Sequence, residues 1–265
     1  MWLYPLVSLG LFGAVFGAGL AYASKKFAVV VDPRVEEVTK ALPGINCGAC
    51  GYPGCAGYAA AVVAGHAPPN KCVPGGAETA RNVARLIGLE GVSFERKTAF
   101  VRCQGAPTAV RSAAYSGPRT CTLAALVGGG PFACTQACLM MGDCFRACPY
   151  DAISWQADGL PVILEDKCIA CGKCVAACPR ELIILRPDTK QVMVTCRNQD
   201  KGAVARKKCT TACIACTKCV QTCPVQAIGM EGNVAAIDTA KCILCGQCVD
   251  VCPTKAITDH RPGRN

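Results

Sequence analysis

The stretch Cys213-Ile214-Ala215-Cys216-Thr217-Lys218-Cys219-Val220-Gln221-Thr222-Cys223-Pro224, answered by Cys242-Ile243-Leu244-Cys245-Gly246-Gln247-Cys248-Val249-Asp250-Val251-Cys252-Pro253, decides the fold. Each run places three cysteines at three-residue intervals on one tight loop and a fourth before proline. In this spacing three thiolates of one loop hold three irons of a [4Fe–4S] cluster, and the cysteine before proline ligates the other cluster of a two-cluster unit. The same run stands upstream as Cys168, Cys171, Cys174 and Cys178-Pro179, and a fourth, irregular one ends at Cys148-Pro149. Ile153, Ile183, Ile228 and Ile257 follow the four Cys-Pro pairs at one fixed distance. The C-terminal half is therefore a repeat and is read as one.

Between paired runs lie short β-like stretches, Leu160-Pro161-Val162-Ile163-Leu164 and Asn233-Val234-Ala235-Ala236-Ile237, which suit the hairpins of a ferredoxin-like unit. Crossing the pre-proline cysteines gives three regular sets: Cys168, Cys171, Cys174 with Cys148; Cys213, Cys216, Cys219 with Cys252; Cys242, Cys245, Cys248 with Cys223. The irregular run, Cys134-x3-Cys138-x5-Cys144-x3-Cys148, carries Met141 where the third run has Cys216. The simplest assignment gives Cys134, Cys138, Cys144 and Cys178 one cluster and leaves Cys103, Cys121, Cys196 and Cys209 for another. Measured back from the cysteine before proline, however, Cys121, Cys134, Cys138 and Cys144 align with Cys196, Cys209, Cys213 and Cys219, as in a duplicated module. That symmetry instead groups Cys121, Cys134, Cys196 and Cys209 and moves Cys103 into the site depleted by Met141. Buried free thiols are a third account of these outlying cysteines.

The chain has 265 residues and 24 cysteines, a number that divides into six four-cysteine sites, and only two histidines, too few for mixed Cys/His zinc sites. A chain this long needs no disulfide stapling. The formal charge of +10 counts every cysteine as neutral. Six clusters, each about −2 with its thiolates, would bring the chain to about −2, so its basicity is no sign of nucleic-acid binding. No dinucleotide or phosphate-loop fingerprint follows a strand, and Gly128-Gly129-Gly130 lies just ahead of Cys134, so flavin and NAD sites are expected on other subunits. His66 and His260 stand alone and read as surface residues; no catalytic residue is expected.

From Trp2 to Ser24 the chain carries no charge, long enough for one helix to cross a bilayer, with Lys25 and Lys26 on its cytoplasmic side. A cleaved signal peptide, suggested by Ala21-Tyr22-Ala23, would need a positive leading segment that is missing. Next, Asp32-Pro33-Arg34-Val35-Glu36-Glu37 predicts a capped helix ending near Leu42-Pro43-Gly44. Cys47, Cys50, Cys55 and Cys72 then form a compact set whose intervening glycines let backbone N–H groups approach sulfur. The expected class is α+β, with a transmembrane anchor at 1–27, a four-cysteine domain at 28–95, a first ferredoxin-like dicluster module with a preceding cysteine-containing segment at 96–188, and a second module at 189–265.

The segment Leu42-Pro43-Gly44-x2-Cys47-Gly48-x-Cys50-Gly51-Tyr52-Pro53-Gly54-Cys55, the N-terminal helix and the paired runs together resemble the iron–sulfur B subunit of the Rnf electron-transport complex. The second dicluster module and Cys196-x4-Lys201-Gly202 are similar to its long, clostridial-type form. The resemblance implies a protein facing the cytoplasm that takes electrons from reduced ferredoxin into a membrane complex coupling NAD⁺ reduction to Na⁺ or H⁺ export. Lys167, Lys173, Lys207, Lys208, Lys218 and Lys241 are candidates to steer an acidic ferredoxin, or simply solvated charge. The rival readings are a polyferredoxin component of another membrane oxidoreductase or regulator-reducing system and, in a different class, an iron–sulfur scaffold or storage protein.

Overall fold

The computed structural model describes residues 3–27 and 32–261. Helix α1 (Leu3–Lys26) presents Leu9, Phe12, Val15, Phe16 and Leu20 outward, all more than 60% exposed. The expected anchor is not supported as such: among the described residues no helix is long and apolar enough to cross a membrane. Trp2, residues 28–31 and the tail 262–265 lie outside the described residues, as do the side chains of residues 3–6 and 8.

Asp32 caps α2 (Pro33–Ala41) by accepting the Arg34 N–H at 2.9 Å, with proline in the first turn as expected. α3 (Gly54–Val63) and α4 (Gly76–Leu86) pack on α2 around Val38, Leu42, Tyr58, Val62 and Val83. Tyr58 is 1% exposed, and its hydroxyl does more than fill space. It donates to the Pro68 carbonyl at 2.7 Å and accepts the Lys71 N–H at 3.1 Å, fixing the loop that delivers Cys72. Burial pushes the phenol pKa up to about 12, so the group stays a donor.

The remainder is built twice on one plan. In the first unit β1 (Lys97–Val101) pairs antiparallel with β4 (Ile183–Pro187), and β2 (Ile153–Trp155) pairs with β3 (Pro161–Ile163). In the second, β5 (Val192–Val194) pairs with β8 (Ile257–Asp259), and β6 (Ile228–Glu231) with β7 (Val234–Ile237). Both stretches read from sequence as hairpin strands fall in β3 and β7. Such two-stranded ribbons are marginal alone, so the sites they enclose must hold them. The linking segment contains α5 (Cys121–Leu126), and one-turn helices α6 (Asp143–Arg146) and α7 (Lys173–Ala177) follow it. α8 (Gly202–Lys208), α9 (Lys218–Thr222) and α10 (Gln247–Asp250) complete the chain.

The segment between β1 and β2 packs mainly on the second unit. Ala109, Ala124, Phe132 and Leu139 share a core with Val192, Val194, Ala205 and Ile228. The backbone joins them too, through an Ala109–Cys209 bridge and a Val110 N–H to Lys208 carbonyl bond of 2.8 Å.

Candidate metal centres

One loop geometry recurs four times. Ala170 and Gly172, Ala215 and Thr217, Leu244 and Gly246, and Met140 and Gly142 all have positive φ, flanking the middle position of each run. These left-handed turns curl the chain so that successive side chains point to one centre, and the short helix that follows buries Cys144, Cys174, Cys219 or Cys248. Proline disfavours helix at the residue before it, so Cys178 and Cys223 leave their helices extended, at ψ 107° and 113°. Three residues on, Asp151, Glu181, Gln226 and Lys255 are again left-handed. That turn aims the next N–H at the sulfur: Leu182 to Cys178 at 3.4 Å, Ala227 to Cys223 at 3.3 Å and Ala256 to Cys252 at 3.2 Å.

Cys148, Cys168, Cys171 and Cys174 line one cavity, and Ala99 N–H reaches Cys168 sulfur at 3.4 Å. Cys213, Cys216, Cys219 and Cys252 line a second. Cys248 sits within Coulombic reach of Cys242 and Cys245, and Cys72 of Cys47, Cys50 and Cys55. Asn46 organises the latter loop by accepting the Cys55 N–H at 2.7 Å, and a Cβ on Gly54 would lie 2.8 Å from the same Asn46 oxygen.

The outlying cysteines are grouped differently from either expected arrangement. Cys121, not Cys134 or Cys103, joins Cys138, Cys144 and Cys178 around a third cavity. Cys103, Cys134, Cys196 and Cys209 line a fourth. The cause is Asp143, whose carboxylate accepts Cys121 N–H at 2.9 Å, Thr122 N–H at 3.0 Å and Thr122 hydroxyl at 2.8 Å. It thereby pins the first turn of α5 beside Cys144 and brings the Cys121 thiol to the cavity whose loop carries Met141. The other runs have Lys173, Lys218 and Gln247 at this position. An acid there was the available signal, and only its contact gives it meaning.

The four cavities are alike, each with roughly 320 to 360 Å³ of non-atom space partly continuous with solvent. Among the described residues no three Cys, His, Asp or Glu side chains are placed to hold a single metal ion. The thiols stand around a space, which fits a polynuclear core. Burial pushes the thiol pKa of Cys144 and Cys196 up to about 11 and of Cys174 and Cys248 up to about 12. Without a bound cation these groups stay protonated; loading must release protons. Arg180 is half-buried among Cys134, Cys178, Cys121 and Cys138; burial lowers its pKa and these thiols oppose that. It stands among thiols of both the third and the fourth cavity, a placement invisible in the sequence.

The two residues read from sequence as surface groups, His66 and His260, are at the surface. Of the six candidate lysines, Lys208 pairs with Asp200 at 2.8 Å and Lys241 with Asp238 at 3.8 Å, while Lys167, Lys173, Lys207 and Lys218 are exposed.

Family models match four stretches of the chain. An Fe-S cluster family matches residues 42–74, and 4Fe-4S dicluster domain families match 133–183, 160–224 and 212–256. The chain is 48% identical to the B subunit of the Na(+)-translocating ferredoxin:NAD(+) oxidoreductase complex of Acetobacterium woodii, over 90% of this chain and 72% of that protein. It is 47% identical to the B subunit of the proton-translocating ferredoxin:NAD(+) oxidoreductase complex of Clostridium ljungdahlii, over 88% and 83%. Identity to the B subunit of an ion-translocating oxidoreductase complex of Methanosarcina acetivorans is 40%, over 86% and 87%.

Proposed function

Because the chain belongs to the B subunit family of ion-translocating ferredoxin:NAD oxidoreductase complexes, the Rnf complexes, we propose that it is their multi-[4Fe–4S] electron-transfer component. It takes electrons from reduced ferredoxin and relays them toward the subunits that reduce NAD⁺, within a complex that exports Na⁺ or H⁺. Each bound cluster supplies one-electron storage at low potential. Five sets of ligands follow from the loops: Cys47, Cys50, Cys55, Cys72; Cys148, Cys168, Cys171, Cys174; Cys121, Cys138, Cys144, Cys178; Cys213, Cys216, Cys219, Cys252; and Cys223, Cys242, Cys245, Cys248.

The observation that carries the reading is that neighbouring sets lie close to one another within each part of the chain. Tyr150 is close to Cys47 of one set and to Cys171 and Cys148 of the next. Cys174 is in turn close to Cys144 of the next set, and in the second unit Cys248 is close to Cys219. A storage or scaffold protein has no need of such a chain of neighbours. The residues between sets do the protein's work: they bury the sulfurs, aim N–H groups at them, and keep water from the inner sites.

α1 is the membrane anchor in this reading, single-pass, with the cysteine domains on the cytoplasmic side. Its 24-residue length, outward apolar side chains and terminal Lys25 and Lys26 support that placement. Exposed Lys173 and Lys218, each beside a cluster loop, suit an acidic ferredoxin. The test is anaerobic mixing of the purified chain with reduced ferredoxin while cluster absorbance is followed. With ferredoxin kept reduced by an excess of low-potential reductant that does not itself reduce the chain, bleaching that depends on added ferredoxin is expected; no ferredoxin-dependent bleaching, with clusters present, would remove the donor assignment.

A further inference from the structure

Tyr150 stands where two separately built parts of the chain meet. Helices α2, α3 and α4 close a core of their own around Val38, Tyr58 and Val83, and that core takes no residue beyond Ile87. No helix or strand lies between α4 and β1. Across this join, Tyr150 lines the cavity of Cys148, Cys168, Cys171 and Cys174 and is close to Cys47 of the N-terminal set. We propose that Tyr150 is the positioning residue for electron passage between these two sites, its ring holding the Cys47 loop beside the Cys148 loop. The inference rests on the reading of the chain as an electron relay and adds the residue through which two of its sites meet.

Nothing within the first unit asks for an aromatic ring at this position. The residues after the four Cys-Pro pairs are Tyr150, Arg180, Val225 and Thr254, so the turn accepts quite different side chains. The core of the unit, around Ala99, Ile153 and Ile183, does not use Tyr150 either. The hydroxyls of Tyr52, Tyr58 and Tyr115 donate to backbone carbonyls. That of Tyr150 makes no hydrogen bond among the described residues, so no polar contact of its own unit holds the half-buried ring in place. Burial and the neighbouring sulfurs of Cys47, Cys171 and Cys148 push its phenol pKa up. The ring therefore stays neutral beside sites that carry negative charge when loaded.

What the ring does instead follows from the join. Two parts of a chain that share no core move relative to one another unless specific contacts prevent it. Tyrosine suits such a contact, because it offers a large, rigid surface and loses little conformational entropy when fixed. Its apolar body can lie against one cluster loop while its polar tip tolerates the wet edge of the other. Electron transfer between clusters falls exponentially with their separation, so a residue that fixes one separation governs one step. The other sets, which meet within the two dicluster units, do not depend on it.

The test is EPR of the anaerobically purified, dithionite-reduced full-length protein for wild type, Tyr150→Ala, Tyr150→Phe and Cys72→Ala, with iron per chain measured on each. Two reduced clusters broaden and split each other's signals with a strength that falls steeply with distance. Cys72→Ala disrupts the N-terminal cluster and so marks the part of the wild-type spectrum that comes from its interaction with the Cys148 set. Tyr150→Ala should keep wild-type iron and lose that same interaction, and Tyr150→Phe, which keeps the ring, should retain it. An interaction intact in Tyr150→Ala, or absent from wild type, would overturn the inference. Loss of iron in Tyr150→Ala would make the residue a wall of its own site and overturn it likewise, and loss of the interaction in Tyr150→Phe would overturn the role of the ring. Dithionite reduction needs no ferredoxin, which separates the two claims. If ferredoxin does not reduce wild type while the interaction still follows Tyr150, the functional reading falls alone; if ferredoxin reduces wild type and Tyr150→Ala keeps the interaction, this inference falls alone.

Discussion

Replacing Asp143 by alanine should strip a ligand from one cluster without touching a cysteine. The carboxylate, 14% exposed, accepts two backbone N–H groups and a hydroxyl from the first turn of α5 and pairs with Arg146 at 2.6 Å. Burial alone would raise its pKa, but the N–H groups of Cys121 and Thr122, the Thr122 hydroxyl and Arg146 outweigh it and hold the carboxyl below the usual value. A depressed pKa means stability fully present above the unfolded value near 3.9 and lost as pH falls through the folded one, so at neutral pH the whole contribution is in force. A helix N-cap is worth about 0.5–2 kcal/mol, and a hydrogen bond to a charged group about 1.5–3. Removing this shared acceptor should cost about 2–4 kcal/mol locally, a shift of roughly 30- to 900-fold against the geometry that presents Cys121. The Cys138, Cys144, Cys178 site then keeps three thiols and should convert to a [3Fe–4S] form. EPR of the air-oxidised variant and its iron content read this directly. Wild-type iron and no [3Fe–4S] signal in Asp143→Ala would refute the assignment of Cys121.

Other consequences follow from single contacts. Tyr58→Phe leaves the Pro68 carbonyl and Lys71 N–H unpaired beside Cys72; about 1–3 kcal/mol of local stability should go, seen as faster chelator removal of the N-terminal cluster with the others unchanged. Thr217, a β-branched residue at φ 56° where its counterparts are Gly172 and Gly246, is strained. Thr217→Gly should gain about 0.5–1 kcal/mol net in anaerobic denaturant melts, and a loss would show that the threonine side chain is needed in that loop. Reduction by ferredoxin should slow about tenfold between low and high ionic strength, and Lys173→Gln with Lys218→Gln should flatten that dependence; a salt-independent rate would place docking elsewhere.

The regular loops were legible because cysteine spacing, left-handed turns and proline act locally. The capped start of α2 and strands β3 and β7 were legible for the same reason. The partition of the outlying cysteines was not. Duplication symmetry groups Cys121 with Cys134, Cys196 and Cys209, but Met141 leaves a gap that draws Cys121 across, held by Asp143, and Cys103 takes the place it leaves. Those are choices among residues distant in sequence, settled by a carboxylate whose partners no spacing rule names. Arg180 was hidden likewise, since it matters through what it faces. The N-terminal helix was legible as a helix, while among the described residues no helix is long and apolar enough to cross a membrane.

The most direct test of the relay is the number of electrons the anaerobically purified chain accepts from excess reduced ferredoxin. A one-electron centre at each four-cysteine set predicts uptake of several equivalents, approaching about six per chain. No uptake by a chain that carries its iron, or a protein that binds zinc in place of iron, would contradict it.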